Sequence, residues 1–441
     1  MKRLFISAFA LFTLAITGCS SDNAPMEPTC SDGIQNGDET GVDCGGSCLP
    51  CQTNGGGGGG ENGGVNLSGL ITEDMTLTND KIWTLTGKVV IDNGITLTIE
   101  PGTIIEGTEG TGSLASALII ARGAKIDAQG TAENPIIFTS INDNIALGEH
   151  AGTNLDENDR GLWGGVLILG KAPVSVEGDS EEGQVEGIPA DDEFGRYGGT
   201  DAEDNSGIFQ YVSIRHGGAL IGEGNEINGL SLGGVGSGTT IDHVEVVGNV
   251  DDGFEFFGGT VNPSSLIAFK EGDDGLDIDQ AYAGTISNSV VVEGDASDHS
   301  TEIDGPEGTM NGSFTEDGIT FIGDASAEAG EIADLRDGAR GTLKNILVVG
   351  YNATQDVEFD DAVTAKNYTD GILTFSNWEV VLPAGVDNLS AMWNDTTGST
   401  SLTDDASNFV TIIPDVASAT VGADLSEFDW TYAKAHGAFN F

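Results

Sequence analysis

A block of 22 to 32 residues recurs through the second half of the chain, and a repeat of this length restricts the available folds more than any other feature. Equivalent apolar residues follow one another at intervals of 24, 22, 25, 32 and 24, so only the fourth interval needs an insertion. These residues are Leu232, Phe256, Ile278, Ile303, Leu335 and Phe359. Each block consists of short apolar runs between turn residues, which predicts stacked coils of short strands.

The repeat predicts an all-β fold, a right-handed parallel β-helix (solenoid) over residues 65–441. A β-propeller would need about 40 residues per blade, which is longer than most of these blocks. The chain contains 67 Gly but only 11 Pro among 441 residues, and 38% of it is hydrophobic, as expected for a turn-rich β protein with a sizeable core. The earlier pieces "VVIDNG" and "LIIARG", 29 residues apart, extend the repeat toward the N-terminus.

Acidic residues recur at the same place in successive blocks. Side chains on a strand alternate between its two faces, so the residues on either side of the apolar position should point outward. The residue before the apolar position is Ser231, Glu255, Asp277, Glu302, Asp334 or Glu358. The residue after it is Gly233, Phe257, Asp279, Asp304, Arg336 or Asp360. We call the five acids Glu255, Asp277, Glu302, Asp334 and Glu358 the acidic column.

Stacked carboxylates require something to offset their repulsion. On adjacent coils they would lie about 4.8 Å apart, where two charges repel by about 1 kcal/mol in water and about 3 to 4 kcal/mol at an effective dielectric near 20. Calcium suits these hard oxygen ligands in an exported protein, so it is the predicted cofactor. The predicted metal ligands are Glu255, Asp277, Asp279, Glu302, Asp304, Asp334, Glu358 and Asp360.

Two other interpretations of the acidic column remain open. The acids could be solvated and screened on a face that resists aggregation, or they could take part in catalysis, since parallel β-helices include enzymes that cleave acidic polysaccharides. If the acidic column only binds calcium, no catalytic residue is predicted. An enzyme would use Arg336, Asp304 and His299. Phe257 and Trp163 could stack on sugar rings or simply pack.

The N-terminus carries a targeting signal. Residues 1–18 have a basic start and an apolar run, which predicts a signal peptide. The "ITGC" that ends at Cys19 resembles a bacterial lipobox, and this implies cleavage before Cys19 and a lipid anchor on its thiol. Residues 19–29 would form the anchored segment. The following "SSDN" resembles the tags of surface-exported lipoproteins, so the predicted location is the outer membrane, at the cell surface.

Two small segments precede the repeats. The module at residues 30–52 has four cysteines, which in an exported chain predict two disulfides with three pairings open. They are Cys30, Cys44, Cys48 and Cys51. A zinc site is the alternative, and nearby acids could instead hold calcium. Residues 53–64, "TNGGGGGGENGG", are a flexible linker with a reach of about 20 Å.

Several longer motifs of the chain together resemble a known protein family. "NEINGLSLGGVGSGTTIDHVEVVGNVDDGFEFFGGTVN", "LTIEPGTIIEG", "GLWGGVLILGKAPV" and the terminal "FDWTYAKAHGAF" resemble β-helical surface lipoproteins of Bacteroidota and a 48-kDa-type lipoprotein of spirochaetes. The resemblance implies fold and location, and it implies no activity.

Charge narrows the choice of partners. The net charge of −55 excludes nucleic acid as a binding partner, because such a surface repels phosphates. The predicted function is a cell-surface lipoprotein with a calcium-binding β-helix that binds a glycan or an outer-membrane protein. The alternatives are a calcium-dependent polysaccharide lyase or hydrolase, and an accessory subunit of an outer-membrane transporter.

Overall fold

The computed structural model describes residues 65–185, 188, 193–220, 226–327 and 330–440. The predicted signal peptide, the anchor at Cys19, the cysteine module and the glycine linker lie outside the described residues. Among the helices of the described part, none combines the length and the apolar character needed to cross a bilayer.

Strands dominate the described chain. In order they are β1 Val65–Ile71, β2 Met75–Leu77, β3 Ile82–Ile91, β4 Thr96–Ile99, β5 Ile104–Gly107, β6 Ala117–Ile120, β7 Lys125–Gln129, β8 Ile136–Ser140, β9 Val166–Leu169, β10 Gly183–Gln184, β11 Arg196–Tyr197, β12 Gly207–Arg215, β13 Leu230–Gly233, β14 Thr240–Val247, β15 Phe254–Phe257, β16 Ser264–Phe269, β17 Leu276–Asp279, β18 Thr285–Ser287, β19 Val290–Val292, β20 His299–Ile303, β21 Phe314–Asp317, β22 Thr320–Ile322, β23 Glu331–Leu335, β24 Gly341–Lys344, β25 Leu347–Val349, β26 Val357–Phe359, β27 Thr374–Ser376, β28 Trp378–Val380, β29 Trp393–Asp395 and β30 Val410–Ile412. The helices are α1 Ala362–Thr369, α2 Leu402–Phe409 and α3 Tyr432–Ala435. Short 3-10 turns lie at Gly112–Leu114, Glu193–Gly195, Leu389–Ala391, Val416–Ser418 and Leu425–Phe428.

Apart from β10 and β11, which form an antiparallel hairpin, each strand pairs in parallel with the strand one coil away, and this confirms the predicted parallel β-helix. The pairings form three long faces. The first face runs from the end of β3 through β6, β9, β13, β15, β17, β20, β23 and β26 to β29. The second face contains β2, β4, β7, β18, β21, β24 and β27, and the third contains β5, β8, β19, β22, β25, β28 and β30. The strands β12, β14 and β16 bend and contribute to both of these faces.

In six of the coils, a left-handed residue other than glycine makes the bend between the second and third faces. These residues have φ between +48° and +58° and are Tyr211, His243, Ser265, Asn288, Asn345 and Asn377. Asparagine tolerates this conformation better than most residues because its short polar side chain can bond locally. The Asn377 Nδ2 donates to the Asn345 Oδ1 at 2.6 Å, so the side chains also stack from coil to coil.

The core fills the inside of the coils with aliphatic and aromatic side chains, and the predicted apolar column lies within it. Leu232, Phe256, Ile278 and Ile303 are each at most 1% exposed. After β26 the coils continue to β30, but they are interrupted by helices that the sequence analysis did not predict. Helix α2 packs Leu402 against the last coils, so it closes this end of the core.

Two non-repeating segments pack on the outside of the coils. Residues 174–199, as far as they are described, form the covering segment, which contains the β10–β11 hairpin. Its Val185 and Tyr197 pack on Val90, Ile119 and Leu167, which point outward from the first face in the N-terminal coils. The covering segment therefore buries the apolar half of the first face.

Residues 416–439 form the C-terminal strap, which runs back along the third face. Its Phe428 and Tyr432 cover outward apolar residues of that face, including Ile267 and Phe269. Backbone groups of the strap donate to side chains of successive coils, and the Tyr432 N–H reaches the buried Glu245 carboxylate at 3.1 Å. The strap thus seals a face that would otherwise expose hydrophobic side chains.

Candidate functional site

The acidic column lies along the C-terminal half of the first face. The pairing register joins Ser231 to Glu255, Glu255 to Asp277, Asp277 to Glu302, Glu302 to Asp334 and Asp334 to Glu358. The alignment predicted from the sequence is therefore the observed register. In the N-terminal coils the same column continues as Leu167, Ile119 and Val90. The face changes from apolar to acidic where the covering segment ends.

A second column, three residues earlier on each coil, stands beside the first. This turn column contains Asn228, Asp252, Asp274, His299 and Glu331. The first three of these side chains accept a backbone N–H from the next coil: Asp252 N donates to Asn228 Oδ1 at 3.3 Å, Asp274 N to Asp252 Oδ1 at 3.1 Å, and His299 N to Asp274 Oδ1 at 2.9 Å. These bonds hold the carboxylates in fixed positions at the entrance to the strands.

The two columns border a groove of about 390 Å³. Leu167, Val185, Ile227 and Phe257 form its apolar end. Its other lining residues are Glu226, Asn228, Ser231, Asp251, Asp252, Glu255, Asp273, Asp274, Asp277, Asp298, His299, Glu302 and Arg336. The groove therefore contains nine carboxyl groups beside one guanidinium and one imidazole.

The side chains of the acidic column point away from the core as predicted, but several are not exposed to solvent. Glu302 is 8% exposed and Asp334 is 4% exposed. The aromatic candidates are also buried: Phe257 packs in a tilted arrangement against Tyr197 with ring centroids 5.6 Å apart, and Trp163 donates to the Arg215 carbonyl at 2.7 Å. Neither ring is free to stack on a sugar, because Phe257 lies beneath the covering segment and Trp163 is buried in the core inside the coils.

Arg336 lies among three carboxylates. Its Nε is 2.8 Å from Asp304 Oδ1, its Nη1 is 3.4 Å from Asp334 Oδ2, and its Nη2 contacts Glu302. Burial lowers the pKa of Arg336, but the hydrogen bond and charge of Asp304, together with the other two acids, raise it overall. Such an arginine stays protonated, which opposes the role of a catalytic base.

His299 is held against the turn column. Its Nδ1 lies 2.8 Å from Asp274 Oδ1 and 3.5 Å from Glu302 Oε2. Burial lowers its pKa, but the hydrogen bond and charge of Asp274 outweigh burial and raise the pKa to about 10. The imidazole is therefore a second cation in the middle of the acidic column.

Three carboxylates converge next to the covering segment, and one of them, Glu255, accepts a hydrogen bond from Asn228 Nδ2. Asp252, Glu255 and Asp277 each place an oxygen within 4.8 Å of the others. The Asp277 Oδ1 is shielded from solvent and has no hydrogen-bond partner. Burial first, and then the charges of Asp252 and Asp274, raise the pKa of Asp277 well above its usual range. Carboxylates in this arrangement fit a hard divalent cation, which would replace the missing partner.

The remaining predicted ligands fall into different surroundings. Asp304 is bonded to Arg336, and Asp279 belongs to none of the carboxylate clusters found among the described residues. Asp334, Glu358 and Asp360 form a cluster of their own. The sequence analysis missed Asn228 and Glu331, although extending the repeat alignment by three residues toward the N-terminus would have identified the turn column.

These features define a class of protein, a parallel β-helix with an acidic groove on one face. The chain belongs to the pectate-lyase-like β-helix domain family, whose sequence profile matches residues 69–433. Among solved structures it is similar to the full-length tailspike protein 2 of the Escherichia coli O157:H7 bacteriophage CAB120, at 12% sequence identity and a TM-score of 0.22. That similarity covers 68% of this chain and 38% of the tailspike chain. No curated protein matches the sequence. The resemblance to surface lipoproteins stays a prediction.

Proposed function

We propose that this protein is a lipid-anchored cell-surface protein of the outer membrane whose β-helix binds calcium in the acidic groove and, through it, a glycan or an outer-membrane protein. One observation carries the proposal: the Asp252, Glu255 and Asp277 carboxylates converge while the Asp277 Oδ1 has no partner. Repulsion among three such charges is of the order of several kcal/mol at an effective dielectric near 20. A divalent cation would remove it.

A calcium ion would supply open coordination positions for the ligand. It takes six to eight oxygen ligands, and three carboxylates provide only part of that number. Hydroxyl groups of a sugar, or carboxylates of an acidic glycan, are suitable ligands for the remaining positions. In this way a groove with nine carboxyl groups binds a neutral or an acidic glycan that it would otherwise attract weakly or repel.

Calcium addition to the purified full chain tests the proposal. Binding to the folded state alone raises the free energy of unfolding by about 2.7 kcal/mol at a hundredfold excess over Kd. We expect a higher unfolding temperature in millimolar calcium than in chelator, and a smaller response in Asp277→Asn. Asp387→Asn, at an exposed residue, is the matched control. Equal unfolding temperatures with and without calcium would refute the proposal.

Proton release provides a second measurement. Burial, followed by the charge of Asp274, raises the pKa of Glu302 to about 8, so the groove holds protons near neutral pH. A bound cation favours the ionised acids, so calcium binding should release protons at pH 7. Titrations in buffers with different ionisation enthalpies would then give different apparent binding enthalpies.

Glycoside hydrolysis is the second candidate function. Burial, followed by the charge of Asp274, raises the pKa of Asp273 to about 6, so this groove residue can carry a proton in mildly acidic solution near ionised carboxylates, and hydrolysis needs one acid and one carboxylate. Hydrolysis would show as new reducing ends from a panel of polysaccharides, lost in Asp273→Asn while glycan binding remains. A calcium-dependent lyase is less consistent with the site, because Arg336 is its only arginine and is paired with three acids.

A further inference from the structure

Five carboxyl groups gather around Glu358 outside the groove. Glu331, Asp356 and Glu358 have oxygens within 4.8 Å of one another, and so do Asp334, Glu358 and Asp360. None of these five residues lines the groove. Glu331 and Asp334 lie on β23, Asp356 directly precedes β26, Glu358 lies on β26 and Asp360 directly follows it.

One of these acids is buried without its full set of partners. Asp334 is 4% exposed, and its Oδ1 has no hydrogen-bond partner, while its Oδ2 accepts from Arg336 only at 3.4 Å. The Glu331 Oε2 is also shielded from solvent and lacks a partner. A buried carboxylate oxygen without a donor or a cation is destabilising, so its presence in this cluster indicates an absent ligand.

The remaining contacts do not neutralise the cluster. Asn394 Nδ2 donates to Glu358 Oε2 at 3.4 Å, and Thr396 Oγ1 donates to Asp360 Oδ1 at 3.3 Å. Both donors are neutral. Arg336 is the only cationic side chain with an ion pair to the cluster among the described residues, and Glu302 and Asp304 share it.

We propose that Glu331, Asp334, Asp356, Glu358 and Asp360 form a second calcium site, independent of the groove. Arg336 and His299, paired with Glu302, Asp304 and Asp274, separate the two sites. The acidic column is therefore not one continuous strip of metal ligands. Its two ends bind cations, and side chains of the protein neutralise its middle.

The ligand set favours calcium over magnesium. Calcium takes six to eight oxygen ligands in a flexible geometry, which suits carboxylates gathered from two coils. Magnesium demands a near-octahedral arrangement and gives up its waters reluctantly, so it is seldom held by a cage of protein ligands alone. The second site joins two successive coils, so its ion stabilises the C-terminal part of the β-helix.

Calorimetric titration of the calcium-free full chain with calcium chloride tests the second site. We expect two equivalents of calcium for the unchanged chain and one for Glu358→Gln, because Glu358 belongs to both carboxylate triplets. Asp360→Asn, at an exposed residue, should weaken the same equivalent at least tenfold without any risk to folding. Asp387→Asn is the matched control and should keep both.

The variants also separate this inference from the groove proposal. If Asp277→Asn loses the only equivalent and both Glu358→Gln and Asp360→Asn bind as the unchanged chain does, the second site is refuted and the groove site stands. If calcium binding is lost only in Glu358→Gln and Asp360→Asn, the groove proposal is refuted and the second site stands. Magnesium that binds the second site as tightly as calcium would overturn the choice of ion.

Discussion

The carboxyl group of Glu316 is buried in the interior of the coils, and its titration should make the stability of the protein depend on pH. Its side chain is fully buried inside the coils; Oε1 accepts from Thr301 Oγ1 at 3.0 Å, and Oε2 has no partner. Burial raises its pKa from 4.5 to about 7, partly opposed by the Thr301 hydrogen bond. The group points into the core from β21, whereas the ligands of both proposed cation sites lie on the first face, so its titration reports on the core.

The raised pKa of Glu316 determines both the sign and the size of the change in folding stability with pH. Below pH 4.5 the carboxyl group is protonated in the folded and the unfolded chain, so it contributes no pH dependence. Between about pH 4.5 and 7 the unfolded chain loses the proton first, and stability falls as pH rises. Above pH 7 the full penalty of about 3 kcal/mol remains, at about 1.4 kcal/mol per pKa unit.

Glu316→Gln removes this titration while keeping the shape of the side chain. From pH 5 to pH 8.5 the free energy of unfolding of the variant should rise relative to the unchanged chain by about 2 to 3 kcal/mol. Any pH-independent effect of the amide cancels in this comparison. Urea unfolding at the two pH values measures the change, and Glu133→Gln on an exposed turn controls for the lost charge. A difference that stays constant with pH would refute the reasoning.

Three further predictions concern other parts of the chain. Glu245→Ala removes a buried carboxylate that accepts hydrogen bonds from the N–H groups of Tyr432 and Ala433, at 3.1 and 2.7 Å. The free energy of unfolding should fall by about 2 to 4 kcal/mol, and proteases should then cut the C-terminal strap. A strap that stays uncut would contradict this. The protein should release no unsaturated uronate from alginate, pectate or chondroitin in the presence of calcium, because Arg336 stays protonated. The absorbance of unsaturated uronate ends measures this release. Activity that Arg336→Ala abolishes while the fold stays intact would show that the protein is a lyase. The four cysteines of residues 30–52 should carry no free thiol after export, which mass spectrometry would detect as a loss of about four hydrogens, whereas retained zinc would favour the alternative.

The sequence predicted those features that follow from the repeat. The parallel β-helix, the core column and the coil-to-coil register of the acidic column all depend on spacing alone, and spacing is visible in one sequence. The observed pairing of Asp277 with Glu302 and of Glu302 with Asp334 therefore matches the alignment.

Burial at the site was not predictable in the same way. Glu302 and Asp334 point outward as predicted but are buried, and of the two alternatives left open for Phe257 the structure shows packing. Phe257 lies beneath the covering segment, which is not part of the repeat and docks through contacts distant in sequence. Periodicity indicates which way a side chain points, but it carries no information about what packs above it.

The C-terminal strap also determines the order in which this chain can fold. Each coil of a solenoid contacts mainly its neighbours, so coils can form one after another from the N-terminus as the chain emerges. The strap is different, because Tyr432 bonds to Glu245 across 187 residues of sequence. Its docking surface exists only after the intervening coils have formed, so this high-contact-order step comes last. Detachment of the strap then becomes a barrier to unravelling from the C-terminal end, and the lifetime of the folded protein depends on the rate of that detachment as well as on the stability of the coils.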